Sequence, residues 1–261
     1  MLSRRTPAGI WREMGITGPE DVDIEVMAFF CGARVKYREL TSCAARIVGK
    51  NNKAIITVDQ RASPERQRFS IAHELGHWVQ DRGQVAVSCR SSDLTPSRLR
   101  DFQNDREAAA NRFAVELLMP AHLFSEVARN KPVTFATAAT LATQFRVSLT
   151  AAAIRLVELG SYPALVVCSN KDGYQWSWRH PELPLSMRVN RTVSRNSVAH
   201  SLHLDSAFEP PGPTVVDADD WVNHANVENY VVTEDSVRIG QDSVLTLVWW
   251  HDETALSEGR S

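Results

Sequence analysis

The sequence predicts an α+β fold in three parts. These are an α+β domain over residues 1–128, a helix-turn-helix-like segment over 129–160 and a mixed α/β domain over 161–261. Three observations predict it. Within residues 33–119, β-branched runs lead into two long helical patterns. Residues 132–160 read as two shorter helices. After Gly160 the texture changes to alternating strand-like runs punctuated by prolines. A chain of 261 residues is long enough for two or three such parts, and its 43% hydrophobic and 23% charged residues are those of an ordinary globular protein.

Taken in order, residues 1–18 read as a loose lead-in. Pro19 to Phe30 reads as a helix, with Pro19 and acids in its first turn, Gly32 past its end, and Val22, Val26, Phe29 and Phe30 as its apolar stripe. Ala33 to Leu40, Cys43 to Val48 and Ala54 to Val58 read as strands of a small antiparallel sheet, with a turn at Gly49-Lys50-Asn51-Asn52. Ser63 is a good N-cap and Pro64 suits the first helical position, so a helix runs from there to about Gln80. Residues 84–97 look irregular. A second long helix spans about Arg98 to Met119, stopped by Pro120, and a short one follows from Ala121 to Ala128. Phe135 to Gln144 and Ser148 to Gly160 form the helical segment. Beyond it, Ala164 to Cys168, Tyr174 to Trp178 and Val244 to Trp250 are strand-like, with a hairpin turn at Asn170-Lys171-Asp172-Gly173. Thr254 to Ser261 reads as a disordered tail.

The charge balance excludes some roles. A net charge of −2 argues against a protein that coats nucleic acid or membrane surfaces. No apolar run is long enough to span a bilayer, and the N-terminus leads into no secretory pattern. Cys31, Cys43, Cys89 and Cys168 have no CxxC spacing and read as reduced thiols. The expected location is the cytoplasm.

One motif carries chemistry. His73 and His77 in His73-Glu74-Leu75-Gly76-His77 lie four apart on a predicted helix, on one face and one turn from each other. Neutral imidazoles at that spacing can bind one Zn²⁺. Glu74, directly after the first histidine, is placed to act as general base on a water that the metal acidifies. Catalytic zinc usually takes a third protein ligand, and Glu107 is the candidate. It shares a helical stripe with Ala110, Ala114, Leu117 and Leu118, where a carboxylate is costly unless a cation compensates it. Asp105 and Glu116 project to nearly the opposite side, and His122 lies beyond Pro120. Asn111, one turn after Glu107, can hydrogen-bond the far nitrogen of a metal-binding histidine and fix its tautomer.

The run Arg68-Phe69-Ser70-Ile71-Ala72-His73-Glu74-Leu75-Gly76-His77-Trp78, followed by Asn111 to Pro120, resembles the ImmA/IrrE family of zinc peptidases over about residues 20–125. The resemblance implies a zincin-like metallopeptidase domain, zinc on His73, His77 and Glu107, and Glu74 as base. It implies limited cleavage of a helix-turn-helix transcriptional repressor, in stress response or mobile-element control. Many members have a second acid shortly before the asparagine, where this chain has Ala109. In the radiation-response branch a helix-turn-helix-like segment follows the peptidase and precedes a GAF-like sensor domain, the place that residues 161–261 would fill.

Weaker signals remain. Leu141, Phe145, Val147, Leu149 and Leu156 would form the core of the helical pair, whose only bases between 131 and 160 are Lys131, Arg146 and Arg155. That is too small a basic footprint for a DNA reader, and packing is the favoured role. Trp176, Trp178, Trp221, Trp249 and Trp250 read as core in preference to a ligand pocket. Cys89 reads as an ordinary half-buried thiol, and His180, His200, His203 and His224 are open candidates for stabilising an oxyanion. The rival to a peptidase is a transcriptional regulator or ligand sensor that uses the peptidase fold as a binding module. An intact Glu74 between the histidines favours the enzyme.

Overall fold

The computed structural model describes residues 5–80, 85–89, 105–224 and 226–251, with backbone alone for 85–89 and Asp105. The chain divides into two compact units. The first is Met1–Leu123 with Thr143–Ser148, and the second is Phe124–Ala142 with Leu149–Ser261.

The first unit opens with a helix where a loose lead-in was expected. In α1, Pro7–Met14, the Thr6 hydroxyl accepts from Gly9 N, Pro7 takes the first turn, and Gly15 ends the helix at φ 67°. These short-range signals are present in the sequence, but eight residues are too few to make a helix by themselves. Burial makes the difference: Trp11 is 4% exposed and its indole N–H donates to Leu117 O at 3.0 Å.

The helix expected over Pro19–Phe30 is broken. Pro19–Asp21 is a single 3-10 turn, and α2, Ile24–Phe30, begins afresh with Asp23 accepting from Glu25 N and Val26 N. This cap rotates the buried face from the expected stripe to Ile24, Met27 and Ala28, leaving Val26 and Phe29 in solvent.

The strands β1 (Ala33–Arg38), β2 (Ala45–Lys50), β3 (Lys53–Asp59) and β4 (Val85–Cys89) form a mixed sheet in the order β1-β3-β2-β4. It is not wholly antiparallel as expected, because β1 pairs with β3 in parallel. Nor is the stretch after residue 84 wholly irregular, since β4 completes the sheet beside β2. The β2–β3 hairpin turns on Asn51 and Asn52, both left-handed at φ 53° and 62°, as a tight two-residue turn requires.

Helix α3, Pro64–Gln80, packs on one face of this sheet. Ser63 Oγ accepts from Arg66 N, and the Gln67 amide donates to the carbonyls of Gln60 and Ala62. Its far end is fixed by Trp78, whose N–H donates to Cys31 O at 2.8 Å and whose ring lies over Gly49. A Cβ at Gly49 would fall 2.2 Å from that ring, so this strand position needs glycine. Helix α4, Asp105–Leu118, lies against α3, and α5, Ala121–Ala128, follows Pro120. Residues 98–104 of the expected longer helix, the Cys89 side chain and the tail from residue 254 lie outside the described residues.

Helices α6 (Phe135–Phe145) and α7 (Leu149–Leu159) are joined through Arg146, left-handed at φ 52°. Leu141, Phe145, Val147 and Leu156 are buried. In the second unit, β5 (Ala164–Asn170) and β6 (Gly173–Arg179) form the expected hairpin. Then come β7 (Arg188–Val189), α8 (Val198–Leu204), β8 (Thr214–Asp217), β9 (Val222–Asn223), β10 (Val231–Ile239) and β11 (Ser243–Trp249). Five strands make an antiparallel sheet in the order β6-β5-β11-β10-β8. Helix α7 packs against β5 and β6, and α8 against β10 and β11. Trp221 and Trp250 are core, and Trp249 is 3% exposed.

The acids of β10 concealed that strand in the sequence. Glu234 is fully buried, with one carboxylate oxygen accepting from Val198 N at 2.6 Å and the other from Trp221 Nε1 at 2.7 Å. Asp235 accepts from Phe135 N at 2.7 Å. Adjacent strand residues face opposite ways, so the two carboxylates hold the starts of α8 and α6 respectively.

Candidate metal centre

His73, Glu74 and His77 lie in the most deeply buried stretch of α3, at 0%, 0% and 2% exposure. The helical repeat puts His73 and His77 on the same face, with ring centroids 4.8 Å apart and planes at 81°. Across from them α4 presents Glu107. Its two carboxylate oxygens lie 3.2 Å from His73 Nε2 and 3.2 Å from His77 Nε2, and the two imidazole nitrogens are 3.1 Å apart. Four donor atoms from two helices thus converge on one point.

Close helix packing makes the convergence possible. A Cβ at Gly76 would lie 3.1 Å from Ala110 Cα, so glycine lets α4 approach the middle of the motif. Ala110, Ala114, Leu117 and Leu118 are buried, while the Glu107 side chain keeps 25% of its surface open. Solvent reaches the cluster on that side.

The donor set fits a divalent cation. Asn111 Oδ1 lies 2.8 Å from His73 Nδ1, so Nδ1 carries the proton and Nε2 turns its lone pair toward His77 and Glu107. Lone pairs gathered this closely repel one another unless a cation lies among them. Burial holds the His73 pKa below its ordinary value and so favours the neutral imidazole that metals bind, partly opposed by the nearby Glu107 carboxylate. The contacts with His73 and His77 hold the Glu107 carboxyl well below the usual range. His73, His77 and Glu107 form a group of side chains that could hold a metal ion. Two nitrogens and a carboxylate suit zinc and leave room for a water.

The remaining candidates divide as follows. Glu116 accepts from Ala121 N at the start of α5 and stands apart from the cluster. His122 packs its ring edge-on to Trp11. His180, His200, His203 and His224 all belong to the second unit, where His180 Nδ1 accepts from Glu182 N and His203 Nε2 bonds Ser169 Oγ. Cys31, Cys43 and Cys168 are free thiols. No helix among the described residues is long and apolar enough to cross a membrane.

An α+β domain whose His-Glu-x-x-His helix faces a carboxylate on a neighbouring helix has the arrangement of a metallopeptidase. Comparison with known proteins bears on which one. Residues 21–157, just over half of the chain, match the peptidase family model described as the IrrE N-terminal-like domain, and the chain belongs to this ImmA/IrrE family. It is 31% identical over 121 residues to the radiation response metalloprotease IrrE of Deinococcus deserti, a match covering 44% of this chain and 40% of that protein. It is 30% identical over 121 residues to the protein of the same name from Deinococcus radiodurans, covering 44% and 34%. The chain thus spans less than half the length of the curated relatives it matches. Among solved structures, a Mycobacterium tuberculosis transcriptional regulator is similar in fold, with a TM-score of 0.53 and 14% identity over 93% of this chain and 73% of that one.

Proposed function

We propose that this protein is a zinc-dependent endopeptidase that makes a limited cut in one protein partner, a helix-turn-helix transcriptional repressor, in the cytoplasm. The observation that carries the reading is the placement of Glu74. It is a fully buried carboxylate on the helix that presents both imidazoles of the cluster. A protein using this fold only to bind has no need of an acid there.

Bound zinc would supply an acidified water and polarise the scissile carbonyl. Glu74 takes the proton from the attacking water and returns it to the departing amine. His73, His77 and Glu107 would hold the metal, and Asn111 keeps His73 in the right tautomer and orientation. The relatives named radiation response metalloproteases support a stress-linked substrate.

The second unit suits a sensor or access-limiting role. Its five-stranded antiparallel sheet with helices packed against it supports that role, and a GAF-like domain is the form proposed for it. The helical pair α6–α7 suits a packing role in preference to DNA reading. Arg146 donates to the carbonyls of Pro19, Glu20 and Val22, and Arg155 is buried beside Glu158.

Glu74→Gln tests the reading. Metal content and cleavage of a repressor encoded beside this gene are measured on one preparation. Retained zinc with cleavage reduced about a thousandfold or more supports the mechanism. A fully active variant excludes it. A wild-type protein that binds the repressor with zinc in place and never cuts it supports instead a regulator or sensor built on the peptidase fold.

A further inference from the structure

We infer that the open face of the four-stranded sheet, centred on Val48 and Ile55, docks an acidic protein partner. Side chains alternate across a strand. One set, which includes Ala45, Ile47, Ala54, Ile56 and Val58, is buried on the side of α3. The other set points away from α3, and Val48 and Ile55 within it are exposed.

That outer face has an unusual composition. It carries Arg34, Lys36 and Arg38 on β1, Arg46 and Lys50 on β2, and Lys53 on β3, all exposed. Its one acid on these strands, Asp59, is engaged by Arg61 at 3.1 Å. Among the described residues, none of the six cations makes an ion pair. The register puts Lys50 directly opposite Lys53, and Lys36 and Arg46 on either side of Thr57. Like charges facing each other across strands cost stability, so folding alone does not account for the arrangement. A chain of net charge −2 has concentrated six positive charges on one small surface.

At its centre Val48 and Ile55 face each other, 61% and 41% exposed. An aliphatic pair ringed by cations has the anatomy of a protein interface, with an apolar centre and a charged rim that steers association. Sheet surfaces that take single-stranded nucleic acid offer exposed aromatic rings. This face offers none, for Tyr37, the aromatic of β1, points the other way and donates to Glu25 at 2.6 Å. A phosphate backbone would pair the cations and leave the aliphatic pair in water. The occupant that satisfies both is a protein surface with carboxylates flanking a small aliphatic ridge, as on one face of an acidic amphipathic helix. Docking there leaves the His73–Glu107 cluster, on α3 and α4, uncovered. The inference is independent of whether that cluster is catalytic.

The test uses the full chain and three labelled probes. These are a short helical peptide of glutamate and leucine, the same peptide with lysine for glutamate, and a short DNA duplex. The glutamate peptide is expected to bind, and to weaken about tenfold on going from low salt to roughly 0.5 M. Lys36→Glu with Arg46→Glu should weaken it about tenfold or more, and Val48→Thr with Ile55→Thr should weaken it by a similar factor. Unchanged circular dichroism and melting temperature establish that each variant is folded. No binding of the glutamate peptide, or equal binding of the lysine peptide, overturns the inference. So does tighter binding of the duplex that ignores Val48→Thr with Ile55→Thr, which would make the face a phosphate-backbone site.

Discussion

A methyl group on Gly76 would lie 3.1 Å from both the Cα and the carbonyl oxygen of Ala110. At these two residues α3 and α4 approach each other closely. Glu107 is three residues before Ala110 on α4, so their separation sets how far its carboxylate reaches toward the imidazoles of α3. Gly76→Ala must push the helices apart by a few tenths of an ångström, and Gly76→Val by more. We expect stability to fall by about 1–3 kcal/mol from overpacking. Zinc affinity should fall about tenfold for alanine and further for valine, because ligand distances tolerate only about 0.2 Å. Zinc titration of a folded Gly76→Ala protein checks this, and unaltered affinity would sever the link between helix spacing and the site.

Glu107→Ala removes an anionic donor from the cluster, and Asn111→Ala removes the group that orients His73. Zinc binding should be severely weakened in the first and weakened roughly 10–100-fold in the second. Glu116→Ala, on the same helix but engaged with Ala121 N, should leave zinc affinity unchanged. Equal zinc affinities for all three variants would remove Glu107 from the site.

Zinc should stabilise the protein, because the unfolded chain does not hold the three side chains together. At about a thousand times the dissociation constant the gain is roughly 4 kcal/mol. Chelation should therefore lower the melting temperature, and readdition of zinc should restore it. The increment should vanish in His73→Ala with His77→Ala. A melting temperature indifferent to zinc in the native chain would count against a folded-state metal site.

Burial raises the Glu234 pKa above its ordinary value, opposed by the bonds from Trp221 and Val198. A carboxyl whose native pKa is raised binds its proton more tightly in the folded state. Its contribution to stability is therefore most favourable below the ordinary glutamate range. It declines as pH rises from there through the native pKa. Glu234→Gln cannot ionise and lacks this decline. Denaturant unfolding of both proteins across mildly acidic to neutral pH should show the native chain losing stability relative to Glu234→Gln as pH rises. A relative gain would mean that the two hydrogen bonds outweigh burial.

The features legible in the sequence were those governed by neighbouring residues. His73 and His77 stand one turn apart on any helix. Ser63 and Pro64 begin that helix, Pro120 ends α4, and Lys171-Asp172 joins β5 to β6 as expected. Other local signals are compatible with more than one structure. Asp23 can cap a helix as well as extend one, and capping placed α2 on a different face from the stripe expected of it. Glu234 and Asp235 are adjacent acids that do not read as part of a buried strand, yet two backbone amides and an indole N–H make their burial tolerable.

The sequence by itself determined the run of helices from α3 to α7, the pairing of the two histidines and the position of Glu74 between them. Each follows from helical periodicity and capping, which act over about four residues. Only the tertiary structure decided that β1 lies parallel to β3, that Trp11 ties α1 to α4, and that α4 comes close enough for Glu107 to meet both imidazoles. These depend on hydrogen bonds and side-chain volumes matched between residues far apart in the chain. Gly76 beside Ala110, and Gly49 beneath Trp78, have meaning only once their partners are in place.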